Sequence, residues 1–178
     1  MEERYFIREF KDEEYGVYVR AGAIVPILLH KRELSLLRAI GNPIMLEIYL
    51  DPRDMSARGM FVLDDGLTVE EKVTRVEVEF VDEVLSVRVV EGSNYHSSKV
   101  INQVRIFGLN QLPKRVDCLS KKRCSTIPAE RNYRLGIADF WEYETRSLMV
   151  VDLNYEIDPT IVTKEKIFQL VNYRYQLG

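Results

Sequence analysis

Successive short runs of alternating apolar and polar residues are the feature that most constrains how this chain can fold. Residues 44–50 place an apolar side chain at every second position, and residues 76–80 repeat the pattern with carboxylates between. A period of two residues is typical of a β-strand that buries one face. Similar runs lie at 85–89, 103–108 and 147–153, with turn residues between them. The pattern predicts an all-β fold, as one antiparallel β-sandwich or two in series.

The alternation also predicts how the chain is divided. Residues 74–90 contain two alternating runs separated by a very short polar turn, which predicts a tight antiparallel hairpin. A change from longer strands to this charged hairpin occurs near residue 72. We therefore predict a first unit over residues 1–72 and a second over residues 73–178, with no Gly/Ser-rich or Pro-rich linker between them.

Helical patterns are few. Residues 30–40 carry apolar side chains at helix-like spacing, which fits a short helix or an irregular loop. Residues 163–177 place Ile167 and Leu170 on one side of a helix, and residues 158–160 supply a start signal. This pattern favours a short C-terminal helix, although the tyrosines near the end of the chain also suit a strand.

The charge and composition of the chain argue against several classes of ligand. A net charge of −3 over 178 residues gives no field that would attract nucleic acid or an anionic membrane. No stretch approaches the roughly 20 apolar residues of a membrane span, and the N-terminus has no signal-peptide pattern. His30 and His96 lack metal-ligand spacing, and the nine glycines form no phosphate-binding motif, so we predict neither metal nor cofactor. The basic cluster at 121–123 is interpreted as a solvated loop.

The two cysteines leave two alternatives open. Cys118 and Cys124 are separated by five residues rich in Lys and Arg. A hairpin would bring them within disulfide range, but so short a loop is equally consistent with two free thiols. The sequence therefore decides neither the pairing nor the redox compartment.

Three motifs follow one another in the first two thirds of the chain. The first is the Arg-Ala-Gly-Ala-Ile-Val-Pro run at 20–26, the second the Asn-Pro and strand at 42–51, and the third the run at 56–66 that ends in Asp-Asp-Gly. In this order and spacing they resemble elements that follow the catalytic barrel of glycoside hydrolase family 31 enzymes. Residues 104–116 resemble a strand and turn from the distal domain of the same enzymes.

The resemblance implies a proximal C-terminal β domain at 1–72 and a distal C-terminal β-sandwich at 73–178. It also implies an α-glucosidase-like parent that hydrolyses O-glycosyl bonds of α-glucosides, whose (β/α)₈ barrel would be the partner of this chain. The family's nucleophile lies in a Trp-x-Asp-Met-Asn-Glu motif, which the surroundings of the single tryptophan, Trp141, do not match. We therefore expect no catalytic residue here. The family includes cytoplasmic, lumenal, lysosomal and secreted enzymes, so the resemblance leaves the compartment open.

Most motif residues have a structural interpretation. Gly22 lies among small residues, as expected where a strand kinks and another backbone comes close. Asp65 and Gly66 are typical of a hairpin turn. We reject Asp64 and Asp65 as a catalytic carboxyl pair, because adjacent strand residues point to opposite faces.

Aromatic residues in the second half are the candidates for direct sugar contact. Tyr133, Trp141 and Tyr143 lie close in sequence among polar residues. Burial in the core is the favoured interpretation of such rings. The alternatives are a stand-alone carbohydrate-binding module that uses these three residues, or a protein-interaction sandwich that pairs through exposed strand edges.

Overall fold

The computed structural model describes residues 18–29, 41–64, 66, 72–119, 124–128, 133–137, 141–160 and 162–171. Every regular element within these ranges is a β-strand, which confirms the predicted all-β class. None of the described residues forms a helix with the length and apolar character of a membrane span. The strands are β1 (Ala23–Leu28), β2 (Ile44–Tyr49), β3 (Ala57–Leu63), β4 (Thr74–Val81), β5 (Val84–Val89), β6 (Val100–Leu109), β7 (Arg115–Cys118), β8 (Ser125–Pro128), β9 (Tyr133–Ile137), β10 (Trp141–Val151), β11 (Tyr155–Glu156) and β12 (Glu165–Val171).

The strands form one hydrogen-bonded sheet in the order β7-β12-β5-β4-β3-β1-β2-β6-β10-β8, with β11 paired to β6 and β9 paired to β10. Most neighbours are antiparallel, as predicted. Two pairs, β1 with β3 and β2 with β6, are parallel, so the sheet is mixed and not purely antiparallel. The chain leaves β2, runs through β3, β4 and β5, and returns at β6 on the opposite side of β2, and this crossover makes the second pair parallel.

One buried cluster of side chains fills the inner face of the sheet. It draws on Leu46 and Ile48 from β2, Val78 from β4 and Ile106 from β6, each at most 2% exposed. Strands near both ends of the order contribute to the same cluster, including Phe168 of β12. The sheet therefore curls so that one face encloses the core. Burying each such side chain contributes roughly 1.5–3 kcal/mol.

The hairpin predicted at 74–90 is confirmed as β4 and β5. Val81 pairs with Val84, and the two turn residues, Asp82 and Glu83, both have positive φ, at 51° and 66°. Positive φ at both central residues is the geometry whose twist matches paired strands. The turn achieves it without the Asn-Gly sequence that usually signals it.

The predicted C-terminal helix is wrong over residues 165–171, which form β12. A register shift between Lys166 and Phe168 marks a bulge in the pairing with β5. Because of this bulge, Ile167, Phe168 and Leu170 are all buried. Their spacing imitates one side of a helix, which explains the error. Residues 172–178, and the short helix or loop considered at 30–40, lie outside the described residues.

The segment around the predicted unit boundary joins β3 to β4. These strands pair antiparallel from Ala57 opposite Phe80 to Leu63 opposite Thr74. The connection between these antiparallel strands therefore spans residues 64–73 and includes Asp65 and Gly66, where the sequence predicts a hairpin turn. Gly66 does adopt positive φ, at 63°, whereas Asp65 lies outside the described residues. The division into units at 1–72 and 73–178 stays a prediction.

Candidate functional site

The three sequence motifs meet at one corner of the sheet. The amide of Gly22 donates to the carbonyl of Tyr49 over 2.8 Å, and the amide of Arg58 donates to the carbonyl of Gly22 over 2.9 Å. The amide of Asp51 donates to the carbonyl of Ser56, also over 2.9 Å. Residues 20–26, 42–51 and 56–66 are thus joined by backbone hydrogen bonds. We call the group Gly22, Tyr49, Asp51, Ser56 and Arg58, with Gly59, the motif corner.

Two glycines allow the backbones to meet at the motif corner. Gly22 has a φ of 78°, a conformation that L side chains rarely adopt, in line with the predicted kink. A Cβ at Gly59 would lie 2.6 Å from the carbonyl oxygen of Ile24, closer than any side chain allows. Gly59 therefore permits the close approach of β1 and β3. The sequence motifs indicate that role for Gly22 alone. The signal for Gly59 is that it is a glycine inside a strand, where close approach of another backbone is common.

An exposed apolar strip crosses the outer face of β1 and β3 next to the motif corner. Val25, Met60 and Val62 are 36%, 61% and 50% exposed. Ala23 pairs with Arg58 in the parallel ladder, and residues two apart along a strand share a face, so Val25 and Met60 lie on the same face as this pair. Adjacent exposed apolar side chains are typical of a surface that another protein segment covers.

A charged ladder borders the apolar strip on the side of β4 and β5. Arg58 Nε lies 3.0 Å from Glu79 Oε1, and Lys164 also pairs with Glu79. Arg88 donates from Nε to Glu77 over 3.0 Å. The hydrogen bond from Lys164 is the main cause that lowers the pKa of Glu79. Exposed ion pairs contribute at most about 1 kcal/mol each, so the ladder fixes the surface charge pattern more than it stabilises the fold.

A second outward cluster joins β2 to β6. The rings of Tyr49 and Phe107 stack with centroids 4.8 Å apart and an interplanar angle of 11°. The Tyr49 hydroxyl donates to Glu47 over 2.7 Å, and Arg105 lies 3.4 Å from the same carboxylate. Burial, followed by the hydrogen bond to Glu47, raises the pKa of Tyr49 to about 12. Phe107 is only 7% exposed, so the pair is a packing contact and not a platform for a sugar ring.

A cleft of about 820 Å³ opens at the end of the core, between the β2–β3 turn, the β4–β5 turn, the end of β6 and β12. Its floor is apolar and buried, including Phe80 and Leu170. Its rim is polar and consists of Asp54, Asp82, Glu83, Asn110, Gln111, Lys166 and Gln169. Among the residues that the structure describes, no group of three His, Cys, Asp or Glu side chains could hold a metal ion.

The predicted sugar-binding residues lie on the β9–β10 pair. Tyr133 pairs with Thr145, and Trp141 pairs with Ile137. Paired residues share a face, and residues two apart along a strand share it as well. The register therefore brings the positions of Tyr133, Trp141 and Tyr143 to one face of this two-stranded extension. Their role in sugar binding stays a prediction.

The two cysteines form a disulfide. Cys118, the last residue of β7, is bonded to Cys124, the residue before β8, and their Cα atoms lie 6.1 Å apart. This separation is within the range that a disulfide spans. Of the two alternatives that the sequence left open, the structure therefore contains the disulfide.

Comparisons with known proteins identify similarity both in sequence and in fold. No protein-family model matches the chain. An α-glucosidase of Schizosaccharomyces pombe is 34% identical over 105 residues, which is 58% of this chain and 10% of the relative. The crystal structure of an ER glucosidase II heterodimeric complex, consisting of the catalytic subunit and the binding domain of the regulatory subunit, matches 86% of this chain and 17% of the compared chain. That match has a TM-score of 0.59 at 14% sequence identity, so it concerns the fold alone.

The sequence match confirms the predicted resemblance to an α-glucosidase, and the structural match concerns the fold. The chain spans about a tenth of the length of the curated relative that it matches. The matched region is therefore related to part of an α-glucosidase.

Proposed function

We propose that this chain is a non-catalytic C-terminal β-sandwich region of a family 31 α-glucosidase-like protein, and that it supports a catalytic (β/α)₈ barrel. The barrel would hydrolyse O-glycosyl bonds of α-glucosides. The chain would contribute none of the reacting groups. This follows the resemblance of the three motifs and the size of the curated relative, of which the matched segment is about one tenth.

The apolar strip is the observation that carries this proposal. Met60 and Val62 are 61% and 50% exposed on β3, and both belong to the third of the motifs that the resemblance places after the barrel. Large apolar side chains in such a place lose contact with water when a second domain packs on them, which favours association. The charged ladder beside the strip would fix the orientation of that domain, because ion pairs at a rim contribute more to specificity than to affinity.

The first experiment is to determine the reading frame that encodes this chain. The proposal expects a (β/α)₈ barrel with a Trp-x-Asp-Met motif in the same polypeptide. The second experiment uses that full polypeptide and replaces Met60 and Val62 by Ser. We expect the melting temperature of the α-glucosidase to fall by several degrees, because an apolar interface is lost.

The matched control is the double variant Leu119→Ser and Val162→Ser. These side chains are 47% and 46% exposed and lie outside the apolar strip. The control should leave the melting temperature unchanged, and both double variants should leave the unfolding of the isolated chain unchanged. Absence of an encoded barrel would overturn the proposal, and so would equal effects of the two double variants.

Carbohydrate binding at the β9–β10 pair is a second candidate, favoured by the register that groups Tyr133, Trp141 and Tyr143 on one face. Aromatic rings on a sheet face are suited to the apolar face of a pyranose. Because Trp141 is the single tryptophan, its fluorescence reports directly on this face. Titration with maltose and malto-oligosaccharides should shift the emission, and Tyr143→Ala should weaken the shift. No change at millimolar sugar would exclude this second candidate.

A further inference from the structure

The disulfide connects the two ends of the sheet order. β7 is the first strand of the order and β8 is the last, with eight strands between them. The same strands are neighbours in sequence, and Cys118 and Cys124 join them at a Cα separation of 6.1 Å. The curl of the sheet therefore brings its two edges together, and the disulfide lies where they meet. We call β7, β8 and the disulfide the sheet seam.

Backbone pairing does not close the sheet seam. β7 pairs with β12, from Phe168 opposite Cys118 to Val171 opposite Arg115, and β8 pairs with β10. Within the described residues the order ends at each of these strands, so no ladder links β7 to β8. Each strand has four residues, and one edge of each pairs with no strand in the part of the chain that the structure describes. Strands this short are weakly held, because every lost ladder bond is a large share of the total.

The sulfur atoms lie at the boundary between the core and solvent. Cys118 and Cys124 are both half-buried, and Cys124 packs against the buried core cluster together with Val116. A reductant can therefore reach the bond, while its loss would alter contacts at the margin of the core.

We propose that the Cys118–Cys124 disulfide is a redox-sensitive clasp that holds the two edges of the sheet together and opens locally when it is reduced. The reductant is a dithiol. One of its thiolates attacks a sulfur of the disulfide, which breaks the S–S bond and forms a mixed disulfide plus one cysteine thiolate. The second thiolate of the dithiol then displaces the other cysteine. Both cysteines end as thiols after taking the two protons of the dithiol, and the dithiol ends as a disulfide.

Opening the clasp has a local consequence. β7 stays attached through β12, where the amide of Leu119 also donates to the carbonyl of Ile167 over 2.9 Å. β8 stays attached through β10. Without the disulfide, only the chain between residues 118 and 124 joins the two edges, so they separate, and backbone groups that pair with no described strand become available to water or to another strand. The central strands β2 and β6 keep all their partners, so the rest of the fold persists.

Hydrogen exchange of the full chain, measured with and without a dithiol reductant, tests the clasp. We expect the amides of β7, β8 and Leu119 to exchange at least 10-fold faster after reduction, while those of β2 and β6 keep their rates. Peptide mapping with an alkylating reagent should first show Cys118 and Cys124 linked in protein produced under oxidising conditions.

The double variant Cys118→Ser and Cys124→Ser is the matched control. It should show the fast exchange at the sheet seam whether or not the dithiol is present. If this variant does not fold, a dithiol titration of the native chain, with trapped thiols counted by mass, supplies the same comparison. Unchanged exchange at β7 and β8 after reduction would overturn the proposal, as would an equal acceleration in β2 and β6 or free thiols in the oxidised protein.

Discussion

The motif corner and the sheet seam hold distant parts of this chain together in opposite ways. At the motif corner, three segments of the chain meet through backbone hydrogen bonds and the close approach of Gly59 to Ile24. At the sheet seam, two strands that are neighbours in sequence but terminal in the sheet order meet through one covalent bond. The first contact depends on the absence of side-chain atoms, and the second on the presence of two sulfurs.

This difference determines what each region tolerates. A close backbone contact cannot accommodate an added atom, because interiors are packed to crystal-like density and moving the backbone costs free energy. A disulfide acts largely by restricting the unfolded chain, and loss of this one loosens only the sheet seam, so the contacts of the central strands stay in place. Adding an atom at the close contact between Gly59 and Ile24 should therefore destabilise more than loss of the disulfide does.

The largest effect is expected from Gly59→Ala. Its Cβ would lie 2.6 Å from the Ile24 carbonyl oxygen and 2.9 Å from the Ile24 Cβ, so β1 and β3 would have to separate. Forced overpacking of this kind costs about 3 kcal/mol. Urea denaturation followed by circular dichroism should show this loss in the free energy of unfolding, or no folded protein at all.

Gly41→Ala is the control for this prediction. A Cβ at Gly41 meets no atom within 4 Å, and its φ is not in the positive range. The free energy of unfolding should change by less than about 0.5 kcal/mol. Equal effects at Gly41 and Gly59 would show that the motif corner has no special packing demand.

The same contrast explains how much of the molecule could be predicted from its sequence. Strands β2, β4 and β5 were predictable because their alternation is regular, and a regular alternation follows directly from one buried face. β12 was mistaken for a helix because its bulge buries Ile167 and Phe168 together. The curl of the whole sheet brings β7 close to β8, and no local pattern in the sequence predicts that curl.

The candidate site also has parts that could be predicted from the sequence and parts that could not. The motifs at 20–26 and 56–66 could be recognised, and their convergence follows from the glycines that they carry. The apolar strip could not be predicted, because the exposure of Met60 depends on whether another part of the structure covers β3, and none of the described residues does so. The stacked pair of Tyr49 and Phe107 was also missed. Its strands, β2 and β6, are neighbours in the sheet, but three other strands lie between them in the sequence.

Loss of the disulfide should have the next largest effect. In the Cys118→Ser and Cys124→Ser double variant we expect the free energy of unfolding to fall by about 2 kcal/mol, the lower end of the usual range, because the closed loop is short. Guanidinium denaturation of the oxidised native chain and of the double variant measures this difference. A loss greater than that of Gly59→Ala would reverse the ranking of the two regions.

A smaller effect is expected from Tyr49→Phe, which removes a hydrogen bond next to the motif corner. The variant leaves the half-buried Glu47 carboxylate without its 2.7 Å donor, so unfolding at neutral pH should require about 1 kcal/mol less free energy. The stacking on Phe107 is retained in this variant, so the measured loss reports on the hydroxyl.

Alkaline titration sharpens the same comparison. Burial first, and then Glu47, raise the pKa of Tyr49 from 10.0 to about 12, so the folded state keeps the phenol proton that the unfolded state releases. The stability that depends on this proton is fully present below pH 10 and is lost as the pH rises through about 12. The advantage of the native chain over Tyr49→Phe should therefore shrink over this interval. A constant difference would contradict this assignment.

The smallest effect is expected from Glu79→Gln in the charged ladder. Arg58, a residue of the motif corner, and Lys164 both pair with Glu79, but their side chains are 74% and 53% exposed. The free energy of unfolding should therefore fall by only about 0.5 kcal/mol, and about 1 M salt should remove most of the difference. Exposed Glu91 provides the control, since Glu91→Gln lies outside the ladder and should have no measurable effect.

The pH dependence of this variant has the opposite sign to that of Tyr49→Phe. The hydrogen bond from Lys164 is the main cause that lowers the pKa of Glu79 below its ordinary value of 4.5. The stability that depends on the ionised carboxylate is present above that ordinary value and is lost as the pH falls through the lower folded-state pKa. The native chain and Glu79→Gln should therefore converge in stability in acid. A difference that persisted there would mean that Glu79 acts through packing, and the charged ladder would then belong with the motif corner as a steric contact.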